Sequence, residues 1–265
     1  MVDKKIAIIG CGNLGLSILN GLLNTQGVKA SNITVTKRNT TTLNALSNTG
    51  INITTDNVKA IAESEIIIVA LKPYNITAIL KELSSNFKKE KHILISLATG
   101  ITIEELEESV QQPIPIFRAM PNTAADVSTS MTCISSNSKD DATIGLVKNC
   151  FDSIGNTIII NETLMDSATV LGACGIAYVL RFMRAMVQGG IQIGFDSKTA
   201  SEIVNQTVKG AAELLIERKE HPEFEIDKVT TPKGCTITGL NEMEHNGFSS
   251  ALIKGIVASY DAIEK

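Results

Sequence analysis

The sequence has few aromatic residues and no excess of positive charge. Its 265 residues include no tryptophan, aromatic residues make up only 4% of the chain, and the net charge is −4. Proteins that bind nucleic acids usually combine a basic surface with aromatic side chains that stack on bases. The composition therefore argues against a nucleic-acid partner.

Histidine and cysteine are sparse and scattered. The three histidines show no metal-ligand spacing, and none has an obvious cysteine or serine nucleophile as a partner. The five cysteines are odd in number and contain no CxxC pair. We therefore expect no metal site and no disulfide framework. Cysteine usage of this kind is typical of a protein in the reducing cytoplasm.

Long uninterrupted hydrophobic runs are also missing. The longest apolar stretch, residues 176–193, contains Arg181, Arg184, Gln188 and Gln192, and such groups are costly inside a bilayer. The apolar run that follows Lys5 is too short for the hydrophobic core of a signal peptide. We therefore expect neither a membrane span nor a targeting segment.

What the sequence does contain is an alternation of short apolar runs and helical segments over residues 5–160. Hydrophobic residues make up 43% of the chain, which is typical of a globular protein. Continuous apolar strands separated by helices predict a parallel sheet that is covered on both faces. We predict strands at 5–9, 33–36, 65–71, 93–97, 114–120, 131–135 and 156–160, and helices at 14–23, 41–47, 57–63, 75–85, 103–110 and 140–151.

Beyond residue 160 the strand pattern ends and only helical segments remain. They cover residues 165–194, 198–219, 238–246 and 249–263. The first is apolar on most faces, so it needs partners on most faces, and a second copy of the chain can supply them. We therefore predict an α/β doubly wound domain at residues 1–160, followed by an all-α dimerisation domain at residues 161–265.

A glycine-rich loop joins the first predicted strand to the first predicted helix. It reads Gly10-Cys11-Gly12-Asn13-Leu14-Gly15 and matches GxGxxG. In a Rossmann-type fold the first glycine permits a tight turn, the second lets a pyrophosphate approach the backbone, and the third lets the helix pack on the strand. An ordinary strand–helix turn can have the same spacing. Its place at the start of a βαβ pattern nevertheless favours a dinucleotide site.

The end of the second predicted strand indicates which dinucleotide binds. Sites for NAD place Asp or Glu there, to accept hydrogen bonds from the ribose 2′-hydroxyl. This chain has Lys37 and Arg38 instead, beside small polar residues and without an acid. Two cations suit a 2′-phosphate, so we predict NADPH as the cofactor, with NADH binding more weakly. The alternative is that both residues are solvated loop charges.

Three further strand ends carry residues suited to a ligand, because ligands of open α/β sheets lie beyond the carboxyl ends of the strands. Small residues there let the cofactor approach the backbone, and an asparagine can hydrogen-bond a carboxamide or ribose. We predict cofactor contacts at Ala70, Lys72, Pro73, Ala98, Thr99, Gly100 and Asn122. Each end also has a plain explanation, such as a surface lysine, a helix-starting proline or a turn-forming asparagine.

A loop rich in hydroxyl groups precedes a helix that is predicted to begin near Ile237. Hydroxyls, backbone N–H groups and a lysine at a helix start can hold a carboxylate. We therefore predict an anion site for the substrate at Thr231, Lys233, Gly234, Cys235 and Thr236. The alternative is that Thr236 is simply the N-cap of the helix.

Together, these segments resemble pyrroline-5-carboxylate reductases over nearly the full length of the chain. The resemblance includes the glycine loop and the segments 71–73, 98–101 and 120–124. Its most specific parts are the helix entry from Asp166 to Tyr178 and the loop from Asp227 to Leu240. The glycine loop is shared with many other reductases.

The resemblance implies an NADPH-binding Rossmann domain and a helical domain that interlocks two subunits, in a homodimer or a larger assembly of dimers. It implies reduction of 1-pyrroline-5-carboxylate to L-proline, the last step of proline biosynthesis, by hydride transfer to a cyclic imine. It also implies that Asn57 lies near the cofactor and that Thr236 acts as the catalytic group beside the substrate. The backbone N–H groups of Gly234, Cys235 and Thr236 would then hold the substrate carboxylate.

Two departures from the family pattern leave alternatives open. Lys233 and Cys235 stand where the family usually has glycine and threonine. The helix entry at residues 172–177 also lacks the two serines that are usual in the family. The chain could instead be a related NADP-dependent imine or ketone reductase with another substrate, or a non-catalytic NADP-binding regulatory protein.

Overall fold

The computed structural model describes residues 4–25 and 27–263. The chain forms two compact units: the first runs to Cys174 and takes up the chain again at Ala262, and the second is Gly175–Asp261. The first unit thus continues past the predicted domain boundary after residue 160. That boundary itself stays a prediction.

The first unit contains a single eight-stranded sheet with the order β3-β2-β1-β4-β5-β6-β7-β8. Strand β7 is antiparallel to β6, and every other neighbouring pair is parallel. The strands are β1 Ile6–Ile9, β2 Ile33–Thr36, β3 Asn52–Thr54, β4 Ile66–Val69, β5 Ile93–Ser96, β6 Ile116–Met120, β7 Ser130–Ser136 and β8 Gly155–Ile159.

Helices cover both faces of this sheet. They are α1 Asn13–Leu23, α2 Asn57–Glu63, α3 Pro73–Leu83, α4 Ile103–Val110 and α5 Asp141–Asp152, with short 3-10 helices between them. Alternate residues of a strand belong to two separate cores: Ile6 and Ile8 lie in one, and Ala7 and Ile9 lie in the other. Both sets of side chains are buried, which explains why the strands read as continuous apolar runs. The predicted doubly wound α/β fold is confirmed.

The structure differs from the prediction in three elements of the first unit. Strand β3 was not predicted, because it is only three residues long and two of them are polar. The segment predicted as a helix at 41–47 is a 3-10 helix, Thr40–Thr49. The helix predicted to begin at residue 75 begins instead at Pro73. Proline is favourable in the first turn of a helix, because its missing N–H would have no partner there.

The segment that follows β8 is held against β6 by a largely buried arginine. A 3-10 helix, Glu162–Leu164, leads into α6, Met165–Ala168, and then into a π-helix, Thr169–Cys174. Arg118 of β6 is 4% exposed. One of its terminal nitrogens lies 3.0 Å from a carboxylate oxygen of Glu162, and the other lies 3.6 Å from Asp166. These ion pairs explain why the segment belongs to the first unit.

The second unit is entirely helical. Its helices are α7 Gly175–Gln192, α8 Ser197–Arg218, α9 Pro222–Lys228, α10 Cys235–His245 and α11 Phe248–Asp261. The sequence did not predict α9. A small cluster of Val187, Ala200 and Val204 packs α7 against α8. The hydroxyl of Tyr178 donates to the hydroxyl of Ser259 at 2.6 Å, which ties α7 to α11.

This second unit buries little of its own apolar surface. Helices α9, α10 and α11 contain no buried residue among those described. Large apolar side chains are exposed on α7, α8 and α11 and in the turn after α7, including Leu180, Ile193, Ile216, Ile253 and Val257. An apolar surface of this kind marks an interaction site in a globular protein. The unit is therefore built to pack against something outside the chain.

Among the described residues, one helical stretch, Glu162–Gln192, is long and apolar enough to cross a membrane, with a mean hydropathy of 1.6 in its apolar window. Only 11% of that 18-residue window is buried within the chain. A helix that packs against a second subunit satisfies the same criteria of length and composition. Its length and composition are therefore no more typical of a membrane span than of a subunit interface.

Candidate functional site

The parallel strands bring the predicted cofactor residues to one edge of the sheet. Ile9, the last residue of β1, is paired with Thr36 and Val69, the last residues of β2 and β4. Val69 is paired in turn with Ser96, the end of β5. The loops after these strands therefore open at a common edge, which is where ligands of open α/β sheets bind.

The three glycines of the loop after β1 have three different structural reasons. Gly10 has φ +88°, and a Cβ there would lie 2.5 Å from the side chain of Leu71. A Cβ at Gly15 would lie 3.1 Å from the carbonyl oxygen of Gly10, so this glycine lets α1 pack closely on the loop. A Cβ at Gly12 would meet nothing within 4 Å. Gly12 therefore leaves open space beside the backbone.

Helix α1 begins at this open space with unpaired N–H groups. Gly12 is its N-cap and has no side-chain capping bond, and the first turn contains no acid. The first backbone bond of the helix runs from the N–H of Leu16 to the carbonyl of Gly12. Within the described part of the chain, the N–H groups of Asn13 and Leu14 therefore lack an acceptor. Such a helix start binds phosphate groups.

The end of β2 fixes the glycine loop and carries the two cations. The carbonyl oxygen of Thr36 accepts from the N–H of Cys11 at 2.8 Å, and its hydroxyl accepts from the N–H of Gly10 at 3.3 Å. The Cys11 side chain is fully buried in the core. Burial raises the pKa of its thiol, and the charge of Lys37 partly offsets that rise. The buried side chain of Cys11 therefore anchors the glycine loop to the core.

Two clefts open at this edge of the sheet. The β2 cleft, of about 450 Å³, is lined by fifteen residues, among them Lys37, Arg38, Asn39, Asn57 and Tyr74. The β5 cleft, of about 570 Å³, is lined by fifteen residues, among them Asn13, Ala98, Thr99, Asn122 and Ala173. Gly12, Ala70, Leu71 and Lys72 line both clefts.

These shared residues fit a molecule with two halves joined by a pyrophosphate. Gly12 and the start of α1 lie where the clefts meet, as a pyrophosphate requires. The cations Lys37 and Arg38 lie at the β2 end, on the side where a 2′-phosphate would sit. The described residues thus have the shape and charge for NADP(H).

Most of the predicted cofactor residues line one of these clefts. Gly10, Lys37, Arg38 and Asn57 line the β2 cleft, and Asn13, Leu14, Ala98, Thr99 and Asn122 line the β5 cleft. Pro73 lines the β5 cleft as well. Gly100 lies in a neighbouring depression with Tyr74 and Ile101. Cys11 lines neither cleft, because its side chain points into the core.

Sequence reasoning missed several residues of the clefts. In the β2 cleft they include the polar residues Thr36, Thr55, Tyr74 and Asn75. Thr55 was missed because it follows the unpredicted strand β3. Tyr74 carried a usable signal, since it directly follows the Lys72-Pro73 pair and is an aromatic residue in a chain that has few. Its side chain is 80% exposed at the cleft.

The predicted substrate residues lie on a different part of the chain, in the second unit. Helix α10 begins at Cys235, two residues earlier than predicted, and its N-cap is Gly234. Thr236 therefore lies inside the first turn, and the alternative that it is the N-cap is wrong. Thr231, Lys233 and Cys235 are exposed, and Thr236 is half-buried.

The geometry of this loop changes the predicted set of donors. The N–H of Gly234 donates to the carbonyl oxygen of Thr231 at 2.9 Å, so it is not free for a carboxylate. The first backbone bond of α10 comes from Thr238. The N–H groups of Cys235, Thr236 and Ile237 are therefore the ones without an acceptor among the described residues.

Two neighbouring residues, Lys233 and Gly234, have unusual backbone environments in this loop. A Cβ at Gly234 would lie 2.6 Å from the hydroxyl of Thr231, so a side chain cannot be added there without moving the loop. Lys233 has φ +60° although it is not a glycine. This left-handed conformation costs roughly 1–2 kcal/mol for a residue with a Cβ. The protein therefore carries a small strain at Lys233.

Comparisons with known families match both parts of the chain. A family model for pyrroline-5-carboxylate reductase dimerisation matches residues 162–265. A model described as NADP oxidoreductase, coenzyme F420-dependent, matches residues 5–100. The predicted NADP-linked oxidoreductase class and the predicted dimerisation function of the helical part are confirmed by these matches.

Individual relatives agree along the whole chain. The chain is 44% identical to pyrroline-5-carboxylate reductase 1 of Dictyostelium discoideum over 98% of its own length, but spans only 49% of that longer protein. It is 40% identical to pyrroline-5-carboxylate reductase 2 of the same organism, covering 99% of this chain and 93% of the relative.

A solved structure supports the same conclusion. Plasmodium falciparum pyrroline carboxylate reductase with NADP bound superposes with a TM-score of 0.89 at 27% identity, covering 98% of this chain and 97% of that one. The predicted resemblance and fold class are therefore confirmed. The chain belongs to the pyrroline-5-carboxylate reductase family.

Proposed function

We propose that this chain catalyses the NADPH-dependent reduction of 1-pyrroline-5-carboxylate to L-proline, the last step of proline biosynthesis. The observation that carries the proposal is the pair of clefts that meet at Gly12, with Lys37 and Arg38 at one end. Family membership adds the reaction, since relatives of nearly equal length are named for it.

On this proposal, the first unit holds the cofactor in three places. Free N–H groups at the start of α1 bind the pyrophosphate, with Gly12 leaving the room for it. Lys37 and Arg38 bind the 2′-phosphate, as point charge and as planar fork. The small residues Ala98 and Thr99 let the nicotinamide half lie against the backbone of the β5 cleft.

The second unit then supplies the anion site for the substrate. The free N–H groups of Cys235, Thr236 and Ile237 bind the carboxylate, helped by the positive end of the α10 dipole. Thr231 and Gly234 shape the turn that exposes those groups, through the bond at 2.9 Å between them. Lys233, which is exposed, adds a positive charge near the same helix start.

Bound NADPH supplies the hydride that reduces the C=N carbon of the substrate. The imine is more electrophilic when protonated, so the chain does not need a strong acid. Thr236 orients the ring nitrogen through its hydroxyl or passes a proton to it. The protein's main contribution is to hold the two reactants at the distance and angle that transfer requires.

The proposal includes assembly and location. The second unit exposes apolar side chains on three helices and belongs to a dimerisation family, so we place these helices in the interface of a homodimer or a larger assembly of dimers. All five cysteines are free, as is usual in a reducing compartment. We place the enzyme in the cytoplasm.

The decisive experiment is an NADPH-oxidation assay with a panel of cyclic imines. 1-Pyrroline-5-carboxylate should be reduced to proline at a rate typical of enzymes, roughly 1–1000 per second. 1-Pyrroline, which lacks the carboxylate, should show a much lower kcat/KM, because it cannot use the N–H groups of α10. The Thr236→Val variant should lose most activity on both.

The possible results separate the alternatives. Rapid turnover of a different imine or of a ketone, with none of 1-pyrroline-5-carboxylate, would show a related reductase with another substrate. Tight NADPH binding without turnover of any panel member would show a non-catalytic NADP-binding protein. Equal turnover of 1-pyrroline and its carboxylate would contradict the anion site at α10.

A further inference from the structure

Both polar atoms of the Asn122 side chain already have a partner within the protein. Its carbonyl oxygen accepts from the N–H of Ala124 at 3.0 Å, which caps the 3-10 helix Thr123–Val127. Its amide nitrogen donates to the carbonyl oxygen of Gly172 at 3.1 Å. The residue is only 7% exposed. One amide hydrogen remains for any further partner.

The acceptor of that bond belongs to an unusual piece of backbone. Gly172 lies within the π-helix Thr169–Cys174, and its neighbour Ala173 lines the β5 cleft together with Asn122. A π-helix shifts the backbone bonds by one residue, is rare, and often lies at a functional site. The bond from Asn122 holds this piece of backbone from outside the helix.

A second anchor on the same strand holds the chain just before the π-helix. Arg118 is four positions before Asn122 and pairs with Glu162 and Asp166. Glu162 also accepts from the N–H of Ile103, at the start of α4, at 2.7 Å. Strand β6 and the residue two places beyond it therefore fasten the segment 162–174 at two points. The second point lies at the wall of the cleft.

We propose that Asn122 is a positioning residue whose bond to Gly172 fixes the π-helical wall of the β5 cleft, rather than a ligand of the cofactor. The proposal rests on the reductase function given above, because that function places the nicotinamide half in this cleft. Holding the wall sets how deeply the reacting ring can settle. Since hydride transfer is sensitive to small displacements, the bond acts on the rate more than on affinity.

Two substitutions isolate the bond. Asn122→Asp keeps an oxygen for the Ala124 N–H but turns a carboxylate toward the Gly172 carbonyl. Asn122→Ser also keeps a capping oxygen, removes the donor to Gly172, and adds no charge. The neutral variant guards against an effect of charge on the cofactor, and it serves alone if the Asp variant does not fold.

Asn161→Asp is the matched control. Asn161 also caps a 3-10 helix, accepting from the N–H of Thr163 at 3.0 Å. In the described part of the chain its amide nitrogen has no partner, and it lines neither cofactor cleft. The Asn161→Asp variant therefore shows the effect of losing an amide group at a 3-10 helix cap where no bond to a cleft wall is lost.

The first measurement is amide hydrogen exchange of the purified protein without cofactor or substrate. Both Asn122 variants should speed exchange over residues 169–175 by about threefold to tenfold, as expected for one lost hydrogen bond. The Asn161 variant should leave this segment unchanged. Because no turnover is involved, this result stands or falls independently of the proposed reaction.

The second measurement separates positioning from binding. Single-turnover hydride transfer should slow by about tenfold or more in both Asn122 variants, while the Kd for NADPH stays within about threefold of the parent protein. Unchanged exchange at 169–175 would overturn the proposal. So would faster exchange with an unchanged transfer rate, which would leave a structural role only. A weaker Kd with unchanged exchange would make Asn122 a direct ligand.

Discussion

Replacing Gly12 with alanine should weaken cofactor binding about tenfold to hundredfold and leave the fold intact. The added Cβ would meet no protein atom within 4 Å, so the folded state gains no clash. Gly12 is the N-cap of α1 with φ −84°, a value that alanine adopts freely. We expect a stability loss below about 1 kcal/mol, from the slightly poorer cap, and therefore a fall in Tm of at most a few degrees.

The same methyl group lies where the two clefts meet and where we place the pyrophosphate. Moving the phosphates away from the N–H groups of Asn13 and Leu14 weakens at least one charge-assisted hydrogen bond, worth about 1.5–3 kcal/mol. That corresponds to roughly a tenfold to hundredfold rise in Kd. NADPH and NADH should lose affinity equally, since they share the pyrophosphate.

Gly10→Ala is the control, because it should lower the stability of the fold. Its φ of +88° and the 2.5 Å approach to Leu71 strain the folded state, so Tm should fall well below that of the Gly12 variant. Titration calorimetry gives the Kd and differential scanning calorimetry gives the Tm. If Gly12→Ala binds NADPH as the parent does, or unfolds as early as Gly10→Ala, the placement of the pyrophosphate is wrong.

Four further outcomes can be measured, one on a double variant and three on single variants. Changing Lys37 and Arg38 together to alanine should weaken NADPH binding about tenfold to hundredfold and leave NADH almost unchanged, because only NADPH has the 2′-phosphate; equal losses would refute the assignment. Thr236→Val should lower kcat/KM strongly with little change in Tm, because the N-cap of α10 is Gly234; an unchanged rate would remove Thr236 from the mechanism. Lys233→Gly should relieve the left-handed strain at φ +60°, worth roughly 1–2 kcal/mol, and should raise the substrate KM at low salt if the ammonium attracts the substrate; a substrate KM equal to that of the parent at all salt concentrations would make Lys233 a solvated bystander. Burial, followed by the positive charges of Lys91 and Lys88, lowers the pKa of His92 in the folded state. The stability that its neutral ring contributes is therefore complete above the unfolded pKa of about 6.5 and is lost as the pH falls from there toward the folded pKa. On acidification, Tm should fall more steeply in the parent than in His92→Gln, and parallel curves would contradict this.

The strands of the sheet were predictable because most of them are continuous runs of apolar residues. Runs such as residues 66–69 are buried on both faces, and burial on both faces is typical of strands in a doubly covered parallel sheet. Strand β3 has no such run, and its place in the sheet depends on pairing with β2. Pairing between distant segments leaves no local pattern, so the sequence did not reveal this strand.

The candidate site was predictable where residue type alone determines the chemistry. Glycines and cations at strand ends indicated the cofactor clefts, since few other residues serve a pyrophosphate or a 2′-phosphate. Asn122 shows the limit of this reasoning. Its residue type suits a ligand contact, but its bonds to Ala124 and Gly172 come from the fold. The π-helix was equally hidden, because its sequence reads as an ordinary helix.

The scarcity of buried side chains in α9, α10 and α11 has a thermodynamic consequence. Helices that bury their apolar side chains only against another subunit are folded to the extent that the subunit is present. The loop before α10, with Lys233 and Thr236, lies among these helices. Dilution should therefore act on this enzyme as heating does, with a melting temperature that rises with protomer concentration and an active fraction that falls as the assembly dissociates.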